Sequence, residues 1–382
     1  MTGDLTTDLL LGLARAGRLT RQAALRLETL RTVGAATALR RRQEEIELER
    51  VGRQAMRSAS HLEIWQEAAS ALGATLEPLD GDLIRIRRDD SATIVCGRSV
   101  MLDDAVTLRI AEDKRLAHDM LARAGLPIAD QLCFEASDTR PAEEFLEAAG
   151  SACVVKPAAS TGGGAGTTGG VRKRGDLRRA ALKAWRWGPR VLIERQAPGL
   201  VYRLLFLEGE LLDVVQRRPP ALAGDGRSTV AELIARENQR RIGERSLIGS
   251  LLRVDLDAVL TLREAGLSLR AVPPADMEFQ VKAITSQNAR RDNVTYRDTL
   301  SEELVSDARA AATTLGVRLA GIDLVTTDPG RSLSATGGAI VEVNGEPGLE
   351  HHYQVAGGDA HTRVAVPILR RLLERAPVAT AY

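Results

Sequence analysis

The chain has 382 residues, 44% hydrophobic and 27% charged, with a formal net charge of +1; this is the balance of a globular protein of two or three domains with a real core. The near-zero charge and 3% aromatic content exclude the positive field and the stacking platforms of a nucleic-acid binder. No apolar run approaches the roughly 20 residues that span a bilayer, and Cys96, Cys133 and Cys153, odd in number and without a C-x-x-C, predict reduced thiols in a cytoplasmic protein.

Residues 1–58 are an expected N-terminal helical extension. They lack proline, are rich in Ala, Leu, Arg and Glu, and break near Gly17–Thr20 and Gly34 into two or three amphipathic helices. The apolar stretch of MTGDLTTDLLLGLARAG has no basic residue before it and reads as one helix face rather than a signal peptide. RRRQEEIELER mixes both charge signs, as solvated helix faces do. Such an extension either packs on the body or a second subunit, or offers a platform for a peptide or carrier-protein acceptor.

Residues 59–112 form a small α/β unit: HLEIWQEAASALG is a helix ending at Gly73, and GDLIRIRRDD and SATIVCGRSV alternate as two strands around Asp89-Asp90. From residue 113 to 375 the pattern is mixed α/β. A helix over 114–124 is closed by Gly125 and stopped by Pro127. A strand follows at 152–156, a helix at 176–187, and strands at 191–194, 202–207 and 210–217. Thr229 with Glu232 forms a capping box. A helix over 302–315 leads into a strand at 320–325, and 339–344 is the last strand.

Between the strand ACVVK and the next helix lies PAASTGGGAGTTGG, with six glycines in residues 162–170. Glycine lets backbone N–H groups crowd around phosphate oxygens, and so flexible a loop suits a lid; a plain linker is the competing reading. Lys156 ends the preceding strand, placed to reach a nucleotide phosphate. The loop has neither the P-loop nor the dinucleotide-binding spacing. Of 52 basic residues only Lys114, Lys156, Lys173, Lys183 and Lys282 are lysine, which marks positions where a compact ammonium is wanted.

In AIVEVN (339–344), period-two alternation puts Glu342 and Asn344 on one face. AGIDLV carries Asp323 in an otherwise apolar strand, and if the two strands pair antiparallel Asp323 shares that face. Carboxylates about 4 Å apart repel by roughly 4 kcal/mol at an effective dielectric near 20. A divalent cation relieves this, and oxygen donors of these types suit Mg²⁺ or Mn²⁺. The competing expectation is that either carboxylate pairs with an arginine. His351 and His352 follow the strand, either solvated or facing substrate.

Asp113-Lys114 opening a helix that ends in AGLP, then VVKP with a glycine loop, IER, the GIDLV strand and EVNGEPG resemble the ATP-grasp superfamily of carboxylate–amine ligases. The resemblance covers about 113–355. The stretch from VLIERQAPGL to AELIAREN is similar to the ATP-grasp part of cyanophycin synthetase and of the glutathione-synthesising fusion ligases; it does not extend to a C-terminal Mur-ligase half. It implies an α/β (mixed α+β) ATP-grasp fold with two subdomains, 113–195 with the nucleotide lid and 196–375 with the metal site. It also implies ATP and Mg²⁺ (or Mn²⁺), as two ions, and a homodimer.

Position by position, Lys114 and Lys156 would contact the nucleotide phosphates, with Gly162, Gly163, Gly164, Gly166 and Gly169 as the lid. Glu194, Arg195 and Gln196 would lie at the hinge by the adenine, and Asp323, Glu342 and Asn344 would hold the metals. Arg218 would stabilise an acyl phosphate, helped by Arg203. Two departures stand out. Leu200-Val201 occupy the place of a ribose-binding acid. SQNARRDNVT replaces a glycine-rich segment, so Asn288, Arg290 and Arg291 would shape a different amino-acid site. The expected activity is an ADP-forming ligase for amino-acid or peptide substrates. The rivals are an enzyme acting on a carrier or peptide read by the N-terminal helices, and a nucleotide-binding regulator without turnover.

Overall fold

The computed structural model describes residues 2–16, 20–50, 53–159, 164–243, 251–285, 287–357 and 362–375. The N-terminal extension is α1 (Thr2–Arg15), α2 (Arg21–Val33) and α3 (Ala35–Arg50). Thr20 caps α2 through its side chain, and Gly34, at φ 79°, ends it. α4 (Arg53–Ala71) runs across the expected boundary at 58. The extension packs on the body: Leu10, Leu11 and Ala24 join one core and Val33 another. Ion pairs Arg178–Asp8 and Arg179–Glu28, and the Asn238–Glu44 hydrogen bond, tie it down.

The small unit is a four-stranded antiparallel sheet in chain order: β1 (Thr75–Pro78), β2 (Leu83–Arg88), β3 (Ser91–Cys96) and β4 (Ser99–Val100). α5 (Ala105–Glu112) and α6 (Lys114–Arg123) follow, each opened by an aspartate cap, Asp104 and Asp113. The first subdomain of the body contains β5 (Gln131–Glu135), α7 (Arg140–Ala149), β6 (Cys153–Pro157), β7 (Thr168–Val171), α8 (Arg174–Ala184) and β8 (Arg190–Arg195). Its sheet order is β5-β8-β6-β7. Phe134, Val155, Leu177, Leu182, Val191 and Ile193 make its core.

The second begins with the long hairpin β9 (Leu200–Leu207) and β10 (Glu210–Arg217), turned through Glu208-Gly209. β11 (Ala221–Ala223), α9 (Val230–Gly243), α10 (Leu256–Glu264), β12 (Glu278–Gln280) and β13 (Asn293–Thr295) come next. The capping box at Thr229 is present: Thr229 N–H donates to Glu232 Oε2 at 2.8 Å and Glu232 N–H to Thr229 Oγ1 at 3.3 Å. α11 (Glu302–Leu315), β14 (Leu319–Thr326), α12 (Leu333–Thr336), β15 (Ala339–Asn344), α13 (Glu350–Tyr353) and α14 (Ala365–Arg375) are the last elements of the described residues.

The five-stranded antiparallel sheet β13-β10-β9-β14-β15 organises this half. One face, with Leu204, Phe206, Ile322, Leu324 and Val343, packs with Leu304, Ala308, Ala311 and Leu315 of α11. The alternate residues Leu205, Leu207 and Leu319 pack with Trp65 of α4, Ile86 of β2 and the apolar side of α14. The small unit is thereby fixed onto the same side of the sheet as the charged residues described below. Among the described residues, no helix is long and apolar enough to cross a membrane.

Where the body changes from one sheet to the other, Gly199 has φ 112°, and a Cβ there would lie 2.0 Å from the carbonyl oxygen of Thr326. Gly199→Ala is expected to cost at least about 2 kcal/mol, read as a fall in the thermal unfolding midpoint. Gly12→Ala, inside α1 with nothing within 4 Å of the added methyl, should be neutral or stabilising.

Candidate active site

Register builds the site. β14 and β15 pair antiparallel with Asp323 opposite Glu342 and Gly321 opposite Asn344. β9 sets Arg203 opposite Asp323, and β10 sets Val215 opposite Arg203. Strand alternation then places Arg203, Arg217, Asp323, Glu342 and Asn344 on one face. Arg203 grips Asp323 in a two-pronged bond, Nε donating to Oδ1 at 2.7 Å and Nη2 to Oδ2. Gly321 makes room: a Cβ there would meet Pro347 at 2.7 Å and the Arg203 chain at 3.7 Å.

Arg217 Nη1 stands 3.7 Å from the same Asp323. Both guanidiniums are buried, so two cations share one carboxylate there. Burial, and then Arg203, push the Arg217 guanidinium down to about 10. Asn344 Nδ2 donates to Gly321 O at 3.2 Å, which leaves its amide oxygen as the ligating atom. The donors that fit a hard divalent cation are thus Glu342 and Asn344. Asp323 has both oxygens engaged by Arg203 and offers only its remaining lone pairs. Among the described residues no group of three or more His, Cys, Asp or Glu side chains is arranged to hold a metal.

Two expected phosphate lysines are present beside carboxylates. Lys114 Nζ lies 2.7 Å from Glu342 Oε1, joining the start of α6 to β15. Burial pushes the Glu342 carboxyl up, but Lys114, Lys156 and Arg203 outweigh it and hold it at about 2. Lys156 Nζ lies 2.6 Å from Glu194 Oε2, and both side chains are more than nine-tenths buried. They sit diagonally across β6 and β8, where Val154 opposes Glu194. A cavity between α6 and β15 is lined by Lys114, His118, Lys156 and Glu342 with Leu121 and Ile340. His118, one turn beyond Lys114, is buried and its Nε2 has no hydrogen-bond partner.

Of the glycine stretch, Gly162 and Gly163 lie outside the described residues. Gly164 and Gly166 have φ 66° and 81°. A Cβ on Gly166 would lie 2.7 Å from both Pro157 and the half-exposed Trp187. The remainder corrects the expectation of a continuous loop, because Thr168–Val171 is strand β7, paired with β6. Gly169 N–H donates to Asp257 Oδ1 at 2.8 Å and Gly170 N–H to Gln196 Oε1 at 2.9 Å. These two N–H groups, and the hinge glutamine with them, are committed within the protein. Beneath them Lys183 Nζ reaches Thr167 O at 2.7 Å and Asp255 Oδ2 at 2.9 Å, and Lys282 Nζ reaches Asp255 Oδ1 at 2.9 Å. Arg195 is exposed, 3.6 Å from Asp130.

The remaining expected residues divide. Arg218 is exposed and its Nε donates to Gln216 Oε1 at 2.9 Å. Asn288 Nδ2 donates to Asn293 Oδ1 at 2.6 Å, Arg290 Nε to Val355 O at 3.0 Å, and Arg291 pairs with Glu237 at 3.4 Å. These hold the 288–293 turn, which adjoins the arginine–aspartate group: Asn293, the partner of Asn288, stands opposite Arg217 across β13 and β10. His352 is fully buried, its Nδ1 2.7 Å from Asp213 Oδ2. His351 does approach the charged face: burial first, then Arg217, lower its imidazole well below the usual range. Arg217 and Glu350 belong to this face and were missed. Counting by twos from Val215, the residue opposite Arg203, reaches Arg217 and not its neighbour.

No family model matches the chain. A cyanophycin synthetase from Nostoc sp. is 30% identical over 253 residues, 66% of this chain and 28% of that protein. The glutathione biosynthesis bifunctional protein GshAB of Enterococcus faecalis is 29% identical over 280 residues, 71% of this chain and 36% of the relative. The chain therefore spans roughly a third of the length of the curated relatives it matches. The crystal structure of a bifunctional glutathione synthetase from Pasteurella multocida superposes with a TM-score of 0.50 at 25% identity, covering 79% of this chain and 42% of that one.

His118 gives the site a pH signature. Burial, and then the Lys156 ammonium, push its imidazole from 6.5 down to about 4. The unfolded chain therefore takes up this proton first, so stability is complete above pH about 6.5 and falls between about 6.5 and 4, by up to about 3 kcal/mol. His118→Gln should flatten this part of the profile, measured by urea unfolding at several pH values.

Proposed function

The chain has the ATP-grasp fold and is a homologue of cyanophycin synthetases and of bifunctional glutathione-synthesising proteins, and on that premise we propose that it is an ATP-dependent, ADP-forming ligase. It joins the carboxylate of an amino acid or peptide to an amine. The observation that carries this is the single sheet face on which Arg203, Arg217, Asp323, Glu342 and Asn344 stand in adjoining register, with two lysines at its edge. Such a face suits charge neutralisation of a phosphoryl group beside an acid, and it needs no protein nucleophile.

Lys114 and Lys156 hold carboxylates in the places where nucleotide phosphates would come. On nucleotide arrival each ammonium exchanges a carboxylate for a phosphate, so neither is left buried without an anion. Glu342, once free of Lys114, would with Asn344 be the residue pair to hold Mg²⁺ or Mn²⁺. That cation supplies neutralisation of phosphate charge. Arg217, backed by Arg203 and Asp323, orients the substrate carboxylate and then stabilises the acyl phosphate formed as the γ-phosphoryl group leaves ADP. The amine attacks the acyl carbon and phosphate departs. A site buried against α13 and α4 keeps water from the acyl phosphate.

ADP and phosphate release across a panel of acids and amines tests this. Glu342→Gln should lower turnover at least about 100-fold. Arg217→Met should do likewise, while Arg218→Met stays within about threefold of wild type, as expected for an exposed side chain. Wild-type turnover in Glu342→Gln would overturn the assignment of the metal face; the reverse ranking of the two arginines would overturn that of Arg217.

A further inference from the structure

Beyond Arg217 on the same sheet face, α13 brings Glu350 and α4 brings His61. Three buried polar atoms here have no hydrogen-bond partner: Arg217 Nε, Glu350 Oε2 and His61 Nε2. The last two face each other at 3.6 Å, too far for a hydrogen bond. Native proteins satisfy almost all such atoms, so three together point to a missing ligand. Gly348 explains the pose of the carboxylate. A Cβ there would lie 2.6 Å from Glu350 Oε1, so the glycine lets one oxygen fold against the backbone.

The three atoms form one electrostatic unit. Glu350 bears on the ionisation of both Arg203 and Arg217. Burial pushes the Glu350 carboxyl up, but His61 and His351 outweigh it and hold it far below the usual carboxylate range. The Glu350 carboxylate, paired at 3.6 Å with His61, is therefore within electrostatic reach of the Arg217 guanidinium, whose Nε–H has no acceptor. The side chains of Glu350 and His61 keep 21% and 14% exposure, while the three polar atoms themselves are buried.

A ligand that satisfies both ends carries a carboxylate and a cationic group. The Arg217 end adjoins Asp323, on the face assigned above to phosphoryl transfer, so the ligand's carboxylate is the one activated. We propose that the activated acid is an amino acid with a free ammonium group, its carboxylate held by Arg217 and its ammonium received by Glu350. His61 is a positioning residue behind Glu350, which makes the helix preceding the small α/β unit part of the substrate site. The proposal rests on the ligase reading.

Hydroxylamine trapping tests it without knowledge of the natural amine, because any acyl phosphate formed becomes a hydroxamate. Amino acids are compared with their deamino counterparts, such as alanine with propionate and glutamate with glutarate. Wild type should prefer the ammonium-bearing acid at least about tenfold in kcat/KM. Glu350→Gln, which keeps the side-chain shape, should erase that preference through KM for the acid and leave KM for ATP and the thermal midpoint unchanged. His61→Gln should shift the same KM by less. Equal use of deamino acids by the wild type overturns the proposal, as does an unchanged acid KM in Glu350→Gln; the wild-type comparison stands even if the variant folds poorly. Failure of every acid tested to give ATP-dependent hydroxamate would instead remove the ligase reading.

Discussion

A buried ammonium must sit against an anion, and the site is arranged around that constraint. Four lysines lie in mostly buried surroundings, and each has a carboxylate within 3 Å: Lys114 with Glu342, Lys156 with Glu194, and Lys183 and Lys282 both with Asp255. Removing one partner of such a pair leaves an uncompensated charge, which costs about 3–5 kcal/mol. The pairs therefore hold the positive charge in place. They also cross the architecture. Lys114 links the first body helix to the last strand, while Lys183 and Lys282 fix the root of the glycine hairpin to the segment that opens α10.

The second constraint is strand register. In an antiparallel sheet a shift of one residue turns every side chain to the other face. Here the register brings Arg203, Asp323 and Glu342 into one row and leaves Arg217 at the end of the next strand. The opposite face carries the apolar core with α11, so the charged face is anchored from behind. From the front it is closed by α13 and the helix before the small α/β unit. The catalysis proposed for this place would depend on fixed charges and on exclusion of water, both supplied by packing.

Much of this was legible in the sequence where local patterns decide. The strand pair around Asp323 and Glu342, their common face, the helix over 302–315 and the capping box at Thr229 follow from period-two alternation, apolar periodicity and cap chemistry. The competing expectation for Asp323, an arginine partner, also holds in the structure, since Arg203 occupies it. What escaped depends on tertiary contacts. β5, α7 and α10 were missed because they are short and because polar residues of the two helices, Glu143 and Asp257, are buried by distant partners, Arg178 and Gly169. The scarcity of lysine flagged Lys183 and Lys282, yet nothing local ties them to Asp255. Gly169 and Gly170 read as loop because glycine has no side chain to betray a strand edge held by Asp257 and Gln196.

The central claim is that Lys114 and Lys156 trade their carboxylates for nucleotide phosphates while the lower pair stays put. With only five lysines in the chain, ¹⁵N-lysine labelling gives a side-chain ammonium spectrum that single Lys→Arg variants assign. Addition of Mg²⁺ and a non-hydrolysable ATP analogue should move the Nζ signals of Lys114 and Lys156 and leave those of Lys183 and Lys282 in place. Saturating analogue that moves none of the five, or only Lys183 and Lys282, would contradict the account.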